Sequence, residues 1–330
     1  MKTLKIILIL MAVLVSCKKE PEQEGVITMV REQSGNPNLI IFMSGAGSVT
    51  IDWGDGSEVE THTLEPYKYS DWESSHSHSV PYRYHHAYLY GSYTITIKGR
   101  NITHLKCGNA RLVDLDVSRN KALKWLSCND NSLTVLDLNN ITALTYLNCS
   151  GNQLTKLFLS PKNALTDLVC NRNQLSNLDV SAATQMTYLD CSSNQLETLD
   201  VTNNIALKSF YCNNNQITSL DISNNIVLGS LQCSNNQLTD LQFGANLQLV
   251  NVYCSQNQLE RLDMSQLISL RNLYCQSNNL TGDAINALLA TLHDKNVHLN
   301  KKVYLYGNPG AGAFTNGDAV KGWTIDTEQP

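Results

Sequence analysis

Nine cysteines recur every 21 residues through the middle of the chain, and their thiols are the first groups that could carry chemistry. They are Cys107, Cys128, Cys149, Cys170, Cys191, Cys212, Cys233, Cys254 and Cys275. A disulfide needs opposed Cβ vectors and a tetrahedral metal site needs converging thiolates, whereas identical repeats aim their side chains side by side. Because a free cysteine behaves as a small buried hydrophobic residue, we expect nine reduced, unreactive thiols that serve packing and hold no metal.

The cysteines mark a sequence repeat that must place them on short strands. One unit has the pattern L-x-x-L-x-C-x-x-N-x-L-x-x-L-D, as in the stretch from Leu144 to Leu157. Leu147 and Cys149 lie two residues apart, so they face the same side of a strand. No repeat can bury its apolar face alone, and stacked neighbours supply the core. The repeat therefore predicts a solenoid with a parallel sheet whose strands lie about 4.8 Å apart.

This pattern resembles the bacterial surface leucine-rich repeats, most closely the internalin-type subset with 21-residue units and a cysteine ladder. The resemblance covers residues 102 to about 290, with cysteine in place of the third leucine. It implies a second ladder, of asparagines that hydrogen-bond to loop backbone of their own and adjacent repeats. These are Asn131, Asn152, Asn173, Asn194, Asn215, Asn236, Asn257 and Asn278. Ala110 stands at this position in the first repeat, as expected of an end unit.

Both ends of such a solenoid need caps, because a bare end would expose the core. At the carboxyl end, residues 285–292 carry apolar side chains at helical spacing. Val303, Leu305 and Asn308 then repeat the strand pattern and predict a tenth strand. We expect Trp323 to be a cap residue rather than a binding residue.

Two further motifs precede the repeats. The early motif is W-G-D-G-S at residues 53–57. The late motif holds His86, Tyr88, Gly91, Tyr93 and Ile95. Together they resemble the PKD-type domain, an immunoglobulin-like β-sandwich, which implies a non-catalytic spacer or contact module. The segment between the motifs is longer than usual, so an insertion is expected there.

Two places in this region could hold a metal. His76 and His78, in the insertion, could share one face of an extended segment, as a zinc or copper site would require. Asp52, Asp55 and Glu58 could hold calcium near the turn. An aromatic loop and a plain hairpin turn are the preferred interpretations, and no metal or other cofactor is predicted.

The chain opens with the layout of a secretory signal. Lys2 and Lys5 precede an apolar run over residues 6–15, which is too short to span a bilayer as a stable helix. The following "LVSC" resembles the lipobox of bacterial lipoproteins, which implies that Cys17 becomes the lipidated first residue. The alternative is an ordinary signal peptide with a chance cysteine. The charged stretch after Cys17 is typical of a flexible tether.

These features divide the chain into five parts. They are a signal peptide at 1–16, a lipidated cysteine and tether at 17–25, a PKD-like β-sandwich at 26–100, leucine-rich repeats at 101–290 and a C-terminal cap at 291–330. The predicted fold class is mainly β, in the α/β-horseshoe family, with nine 21-residue repeats plus a capping strand. The formal net charge of −5 becomes −7 once Lys2 and Lys5 leave with the signal, which argues against nucleic acid or an anionic membrane surface as partner.

Side chains that flank the inward-facing pair of each strand face the concave surface. The candidate ligand-binding residues are the aromatic and acidic side chains one or three positions before each cysteine or its equivalent. They are Trp125, Tyr146, Asp167, Tyr188, Asp190, Tyr211, Tyr253, Tyr274 and Tyr304. The offsets predict one patch of Trp125, Tyr146 and Tyr188, and a second patch formed by the remaining tyrosines in the neighbouring column. Such rings suit recognition, although aromatic residues also favour strands for packing alone.

The predicted function is that of a non-catalytic, lipid-anchored protein of the outer membrane or cell surface. It would bind a protein partner through the concave face, as internalin-like adhesins do. A carbohydrate-binding surface lipoprotein for glycan capture is the alternative, because rings can stack on sugars and amides can bond to hydroxyls. No enzyme activity is expected, since no Ser/His/Asp or Cys/His arrangement has a plausible scaffold and no cysteine follows Cys275.

Overall fold

The computed structural model describes residues 25–32, 37–66, 83–89, 91–294, 301–314 and 319–328. The signal and tether with Cys17 lie outside these residues, as does the part of the insertion that holds His76 and His78. Within the described ranges, no helix is long and apolar enough to cross a membrane.

Two long bent strands dominate the part of the chain before the repeats. The strands here are β1 (Val26–Glu32), β2 (Asn38–Asp52), β3 (Glu60–Leu64), β4 (Arg83–Ala87), β5 (Ser92–Lys106) and β6 (Leu112–Asp116). β5 pairs antiparallel with both β1 and β2, and β2 also pairs with β3 and β4. The register of β2 shifts at Gly45, where an added Cβ would lie 1.9 Å from the carbonyl oxygen of Asn101, so glycine is required for this close approach.

The repeats form ladders of short strands. They are β7 (Trp125–Ser127), β8 (Val135–Leu138), β9 (Tyr146–Asn148), β10 (Lys156–Leu159), β11 (Asp167–Val169), β12 (Tyr188–Asp190), β13 (Ser209–Tyr211), β14 (Ser219–Ile222), β15 (Ser230–Gln232), β16 (Asp240–Phe243), β17 (Asn251–Tyr253) and β18 (Asn272–Tyr274). β7, β9, β11, β12, β13, β15, β17 and β18 pair in register and in parallel to form the concave sheet. β8 pairs with β10, and β14 pairs with β16, in two smaller parallel sheets. The predicted parallel solenoid is confirmed.

The concave sheet continues into the strands before the repeats without a break. The last residues of β5 pair in parallel with β7, so that His104 lies beside Trp125. β1 also pairs with β6, which belongs to the first repeat. The boundary predicted between residues 100 and 101 falls inside β5. The antiparallel strands therefore cover the first edge of the solenoid by direct backbone pairing, and that edge is not left open to solvent.

The carboxyl end is closed by a helix and a last strand pair. Its elements are α1 (Gly282–Thr291), β19 (Lys301–Tyr304), a short 3₁₀ helix (Ala311–Ala313), β20 (Ala319–Val320) and β21 (Trp323–Asp326). β19 places Val303 beside Leu273, which confirms the predicted tenth strand. β21 pairs with β19 and buries Trp323 completely, with the indole Nε1 donating to the carbonyl oxygen of His293 at 2.9 Å. Trp323 is thus a cap residue, as expected.

All nine cysteines of the repeats are free and buried, and the asparagine ladder runs beside them. Asn194 shows the pattern: its Nδ2 donates to the carbonyl oxygens of Cys170 and Cys191 at 3.1 Å each. Its Oδ1 accepts from the backbone N–H of Leu175 at 3.0 Å. Asn308 continues the ladder into the cap, with its Nδ2 donating to the carbonyl oxygens of Cys275 and Leu305. Each amide therefore joins two successive turns.

A second set of buried asparagines lies on the opposite side of the coil, and the sequence reasoning missed it. Its members are Asn120, Asn204, Asn225 and Asn246. The Nδ2 of Asn204 donates to the carbonyl oxygens of Val180 and Ala183 at 2.9 Å each. Among the described residues, the Oδ1 atoms of this set have no hydrogen-bond partner. A recurring D-x-[ST]-x-N, as in residues 200–204, was the available signal for all of them except Asn246, which ends the stretch Q-F-G-A-N.

The residue two positions after each cysteine adopts the left-handed conformation, with φ between 53° and 63°. These residues are Asn109, Asp130, Gly151, Arg172, Ser193, Asn214, Asn235, Gln256 and Ser277. For residues other than glycine this conformation costs roughly 1–2 kcal/mol. The turn after each concave strand therefore stores a small strain that Asn, Asp, Ser and Gly tolerate better than other residues.

We predict that Gln256→Gly stabilises the protein by about 0.5 kcal/mol, because relief of the left-handed strain exceeds the entropy that glycine adds to the unfolded chain. Gln258→Gly is the matched control, since Gln258 is an exposed glutamine of the same turn and does not have a positive φ. It should lower the free energy of unfolding by about 0.5–1 kcal/mol. Urea denaturation measures both variants, and equal destabilisation by the two would contradict the prediction.

Candidate functional site: the concave face

The amino-terminal part of the concave face carries a stack of rings on β5, β7 and β9. Trp125 and Tyr146 stack with ring centroids 4.8 Å apart and planes 6° from parallel. The ring centroids of His104 and Trp125 lie 6.4 Å apart. Burial, with a smaller effect from Lys124, lowers the pKa of His104 to about 4, so its imidazole is neutral at neutral pH. The three stacked rings at this end of the face are therefore all uncharged at neutral pH.

The carboxyl-terminal part carries a second, longer stack on β17, β18 and β19. Tyr253 and Tyr274 have centroids 4.4 Å apart, as do Tyr274 and Tyr304, and the planes in both pairs lie within 8° of parallel. The in-register sheet causes this geometry, because neighbouring strands lie about 4.8 Å apart and hold equivalent side chains side by side. Lys302 Nζ lies 5.8 Å from the centroid of the Tyr304 ring at the end of the stack.

The middle of the face combines two tyrosines with two carboxylates. Tyr188 and Tyr211 contact each other across neighbouring strands, with centroids 5.4 Å apart and planes tilted by 44°. Asp190 Oδ1 accepts from the backbone N–H and the hydroxyl of Ser192 at 3.1 Å and 2.6 Å, and its Oδ2 accepts from Asn171 Nδ2. These bonds hold the carboxylate in place. Burial, with Asp190 as the next cause, raises the pKa of Tyr188 to about 12.

The structure groups the predicted residues differently from the two expected patches. Asp167 lies on β11, between the strands of Tyr146 and Tyr188, so Tyr188 does not continue the first stack. Tyr188 joins Tyr211 of the neighbouring column instead. The expected patches grouped residues that lie at the same offset from the ladder cysteines. Asp167 occupies that offset between Tyr146 and Tyr188 and separates their rings.

The aromatic residues lie in three groups along one diagonal of the concave face, which together we name the aromatic stripe. Asp167 on β11 and Gln232 on β15 separate the groups. The aromatic stripe consists of Trp125, Tyr146, Tyr188, Tyr211, Tyr253, Tyr274 and Tyr304. It begins in the column three before the cysteines and ends in the column one before them, and it spans about 40 Å at one strand spacing per repeat. Within the two stacks the ring faces cover each other, which leaves the ring edges uncovered. Asp167 and Asp190 lie beside the middle of the stripe.

The motif residues before the repeats pack together in a separate cluster. The rings of Trp53 and His86 stack at 4.8 Å, and the hydroxyl of Tyr88 donates to the carbonyl oxygen of Trp53 at 2.9 Å. Asp55 Oδ1 accepts from the backbone N–H of Ser57 at 3.1 Å, and its Oδ2 lies 2.7 Å from His86 Nε2. Hydrogen bonding by the Ser57 side chain, followed by that of His86, holds the pKa of Asp55 well below its usual range. The carboxylate that was considered for calcium is thus engaged in the turn.

In the described part of the chain, no group of three or more His, Cys, Asp or Glu side chains is arranged to hold a metal ion. The thiols of the cysteine ladder are not poised for chemistry either. Burial raises the pKa of Cys128 and of Cys254 to about 12, which keeps these thiols protonated at neutral pH.

The fold and the face together define a leucine-rich-repeat solenoid with a cysteine ladder, whose concave sheet presents an aromatic stripe. It is similar to the functional domain of InlJ from Listeria monocytogenes, described as including a cysteine ladder. The identity is 33% and the TM-score 0.55, over 63% of this chain and 54% of that chain. The repeat region is thus an internalin-like leucine-rich-repeat solenoid.

Two other solved structures resemble the chain. The leucine-rich repeat domain of APL1B is 19% identical with a TM-score of 0.51, over 61% of this chain and 63% of that chain, which supports the fold alone. YopM, a leucine-rich effector protein from Yersinia pestis, is 29% identical with a TM-score of 0.43, over 49% of this chain and 46% of that chain. The chain spans about half the length of InlJ and of YopM. No family model matches the sequence, and no curated protein is significantly similar to it.

We predict that the nine ladder thiols react with iodoacetamide only after unfolding, because each is fully buried with a raised pKa. Mass spectrometry counts the modified cysteines after treatment at about pH 8, close to the ordinary thiol pKa, with and without denaturant and without reductant. Alkylation in the native state, or thiols that fail to react in denaturant until they are reduced, would contradict an unreactive packing ladder.

Proposed function

We propose that the protein is a non-catalytic, lipid-anchored cell-surface protein that binds a protein partner through its concave face. The observation that carries this proposal is the aromatic stripe. All seven of its side chains are partly exposed, and tyrosine and tryptophan are enriched at the energetic centres of protein interfaces. A stripe about 40 Å long, on a rigid sheet, suits an interface of standard size between two proteins.

The ring geometry favours a protein over a glycan as the ligand. A sugar stacks on the face of an aromatic ring, but in the two stacks most ring faces are already covered by neighbouring rings. The stacks therefore leave a row of ring edges for contact with a ligand. Ring edges carry partial positive charge and suit edge-to-face contact with aromatic side chains and hydrogen bonds to backbone carbonyls. These are groups that a protein supplies.

The charges on the face indicate the complementary surface. Asp167 and Asp190 lie at the middle of the stripe, and Lys302 lies at its carboxyl end. We therefore propose that the partner places a Lys or Arg opposite the two carboxylates. Charge pairs of this kind fix the register of a complex and speed its association.

The anchor and the N-terminal module are proposed from the sequence, together with the export they imply. The "LVSC" ending of the apolar segment supports lipidation at Cys17, and the charged stretch that follows supports a tether. A PKD-type assignment for residues 26–100 is supported by the packing of its motif residues Trp53, His86 and Tyr88. In this proposal the lipid holds the protein at a membrane while the solenoid faces its partner.

We predict that Tyr253→Ala/Tyr274→Ala/Tyr304→Ala lowers binding to target cells by more than about tenfold, because the variant removes the longer ring stack. Val135→Ala/Phe158→Ala/Ile205→Ala is the control, since it removes exposed apolar side chains that lie outside the stripe. Flow cytometry measures binding of the labelled protein to intact cells.

The same assay separates protein from glycan ligands. Binding should disappear when the target cells are treated with protease and should survive periodate oxidation of their sugars. A glycan array probed with the same protein should stay blank. Periodate-sensitive binding with an array hit that the aromatic variant loses would replace the protein partner by a carbohydrate. Equal binding by the aromatic variant and the control would overturn the concave site itself.

We predict that the chain incorporates labelled palmitate in a bacterial host and that Cys17→Ser abolishes the incorporation, because the acyl chain is attached to that cysteine. Cys275→Ala should keep the label, since Cys275 belongs to the buried ladder. The label is read from the purified protein by autoradiography. An unlabelled wild-type chain would mean an ordinary signal peptide and no lipid anchor.

A further inference from the structure

A basic groove lies where β5 meets the first turns of the solenoid. It encloses about 570 Å³. Its lining residues include Gly25, Arg100, Asn101, Ser118, Arg119 and Lys121. Arg100 and Asn101 belong to β5, and Ser118, Arg119 and Lys121 to the turn between β6 and β7. The groove is therefore built by the same junction that joins the antiparallel strands to the repeats.

The groove is positively charged in a chain that is negatively charged as a whole. Arg100, Arg119 and Lys121 are all exposed, and among the described residues their side chains have no ion pair or hydrogen bond. No acidic side chain is part of the lining. Along the chain, Glu24 directly precedes the lining residue Gly25. Asp116, two residues before Ser118, accepts a hydrogen bond from the backbone N–H of Ser118 at 2.8 Å. Three cations thus line one groove, and none of them forms an ion pair within the described part of the chain.

The groove also marks the place where the tether leaves the folded protein. The carbonyl oxygen of Gly25 accepts a hydrogen bond from the backbone N–H of Gly99 at 2.9 Å, which fixes Gly25 to the junction. Cys17 lies eight residues before Gly25 in the sequence. Eight residues span at most about 28 Å when fully extended. A lipid on Cys17 would therefore keep the groove within about 28 Å of the bilayer surface.

We propose that this groove binds the phosphate groups of anionic membrane lipids and so orients the anchored solenoid on the membrane. The inference rests on the lipid anchor of the proposed function. Guanidinium groups bind phosphate through paired hydrogen bonds, and Lys121, Ser118 and Asn101 add further donors. The net charge of the whole chain argues against an anionic membrane as partner, but contact with a bilayer is decided by the charge of the surface that faces it, within about 8–10 Å.

The test uses residues 18–330 without lipid, which retain every described residue, and vesicles of phosphatidylcholine with or without phosphatidylglycerol. Each Lys or Arg near an anionic surface strengthens binding by about fivefold. Arg100→Gln/Arg119→Gln/Lys121→Gln should therefore lower binding to the anionic vesicles by about a hundredfold at low salt. Lys156→Gln/Lys208→Gln/Arg271→Gln removes the same charge from exposed sites elsewhere and should change binding by less than about threefold.

Flotation of the vesicles measures the bound fraction, and thermal unfolding by circular dichroism verifies that each variant is folded. Equal loss in the two triple variants would mean that net charge, not the groove, causes binding, and would overturn the inference. Equal binding to vesicles without phosphatidylglycerol would also overturn it. Saturable binding of inorganic phosphate without vesicle binding would assign the groove to a soluble phosphate instead. The vesicle experiment uses a chain without lipid, so its outcome does not depend on lipidation. If palmitate labelling fails, the lipid anchor is disproved, but vesicle binding by the groove is still decided by flotation.

Discussion

The structure depends on one hydrogen-bonding requirement, which is to satisfy the backbone at the turn that follows each concave strand. The chain leaves the sheet there, and the carbonyl oxygen of each ladder cysteine would otherwise be buried without a partner. Asn194 and its equivalents supply two donors and one acceptor at that point, and they reach the preceding turn as well as their own. A small side chain at the cysteine position leaves room for this closely wound coil. The cysteine ladder and the asparagine ladder therefore act together: the small thiols allow the close winding, and the amides satisfy the backbone at each turn.

Much of this could be predicted from the sequence because the repeat is local and its period is fixed. The position of Cys149 relative to Leu147 determines which face is buried, and Val303 repeats the same relation in the cap. Other features depend on pairing between distant residues. The continuation of β5 past residue 100 follows from its contacts with three other strands, and no local pattern reveals it. The pairing of Tyr188 with Tyr211 likewise depends on which neighbour interrupts a column.

The two ends of the solenoid are closed in different ways, and the difference bears on function. At the carboxyl end, β21 extends the concave sheet by one strand beyond Tyr304 and buries Trp323 in the cap. At the amino end, β5 and β2 prolong the concave sheet and at the same time form the junction from which the tether leaves. The part of the molecule that would face a membrane and the part that would face a partner thus share a continuous backbone sheet. Their relative orientation is set by strand pairing rather than by a hinge.

Each asparagine of the ladder connects only its own turn and the preceding one. The concave face can therefore change in length only by whole repeats. Removal of one complete repeat, between equivalent points of two turns, would leave every remaining asparagine with an equivalent pair of carbonyl oxygens. Recombination between repeats could therefore shorten or lengthen the protein without loss of fold. The aromatic stripe does not share this freedom, because deletion of the β11 turn would bring Tyr146 beside Tyr188 and remove Asp167 from between them. Each added or removed repeat changes the length of the concave face by about 4.8 Å. Ligand specificity depends on the order in which the repeats present their side chains.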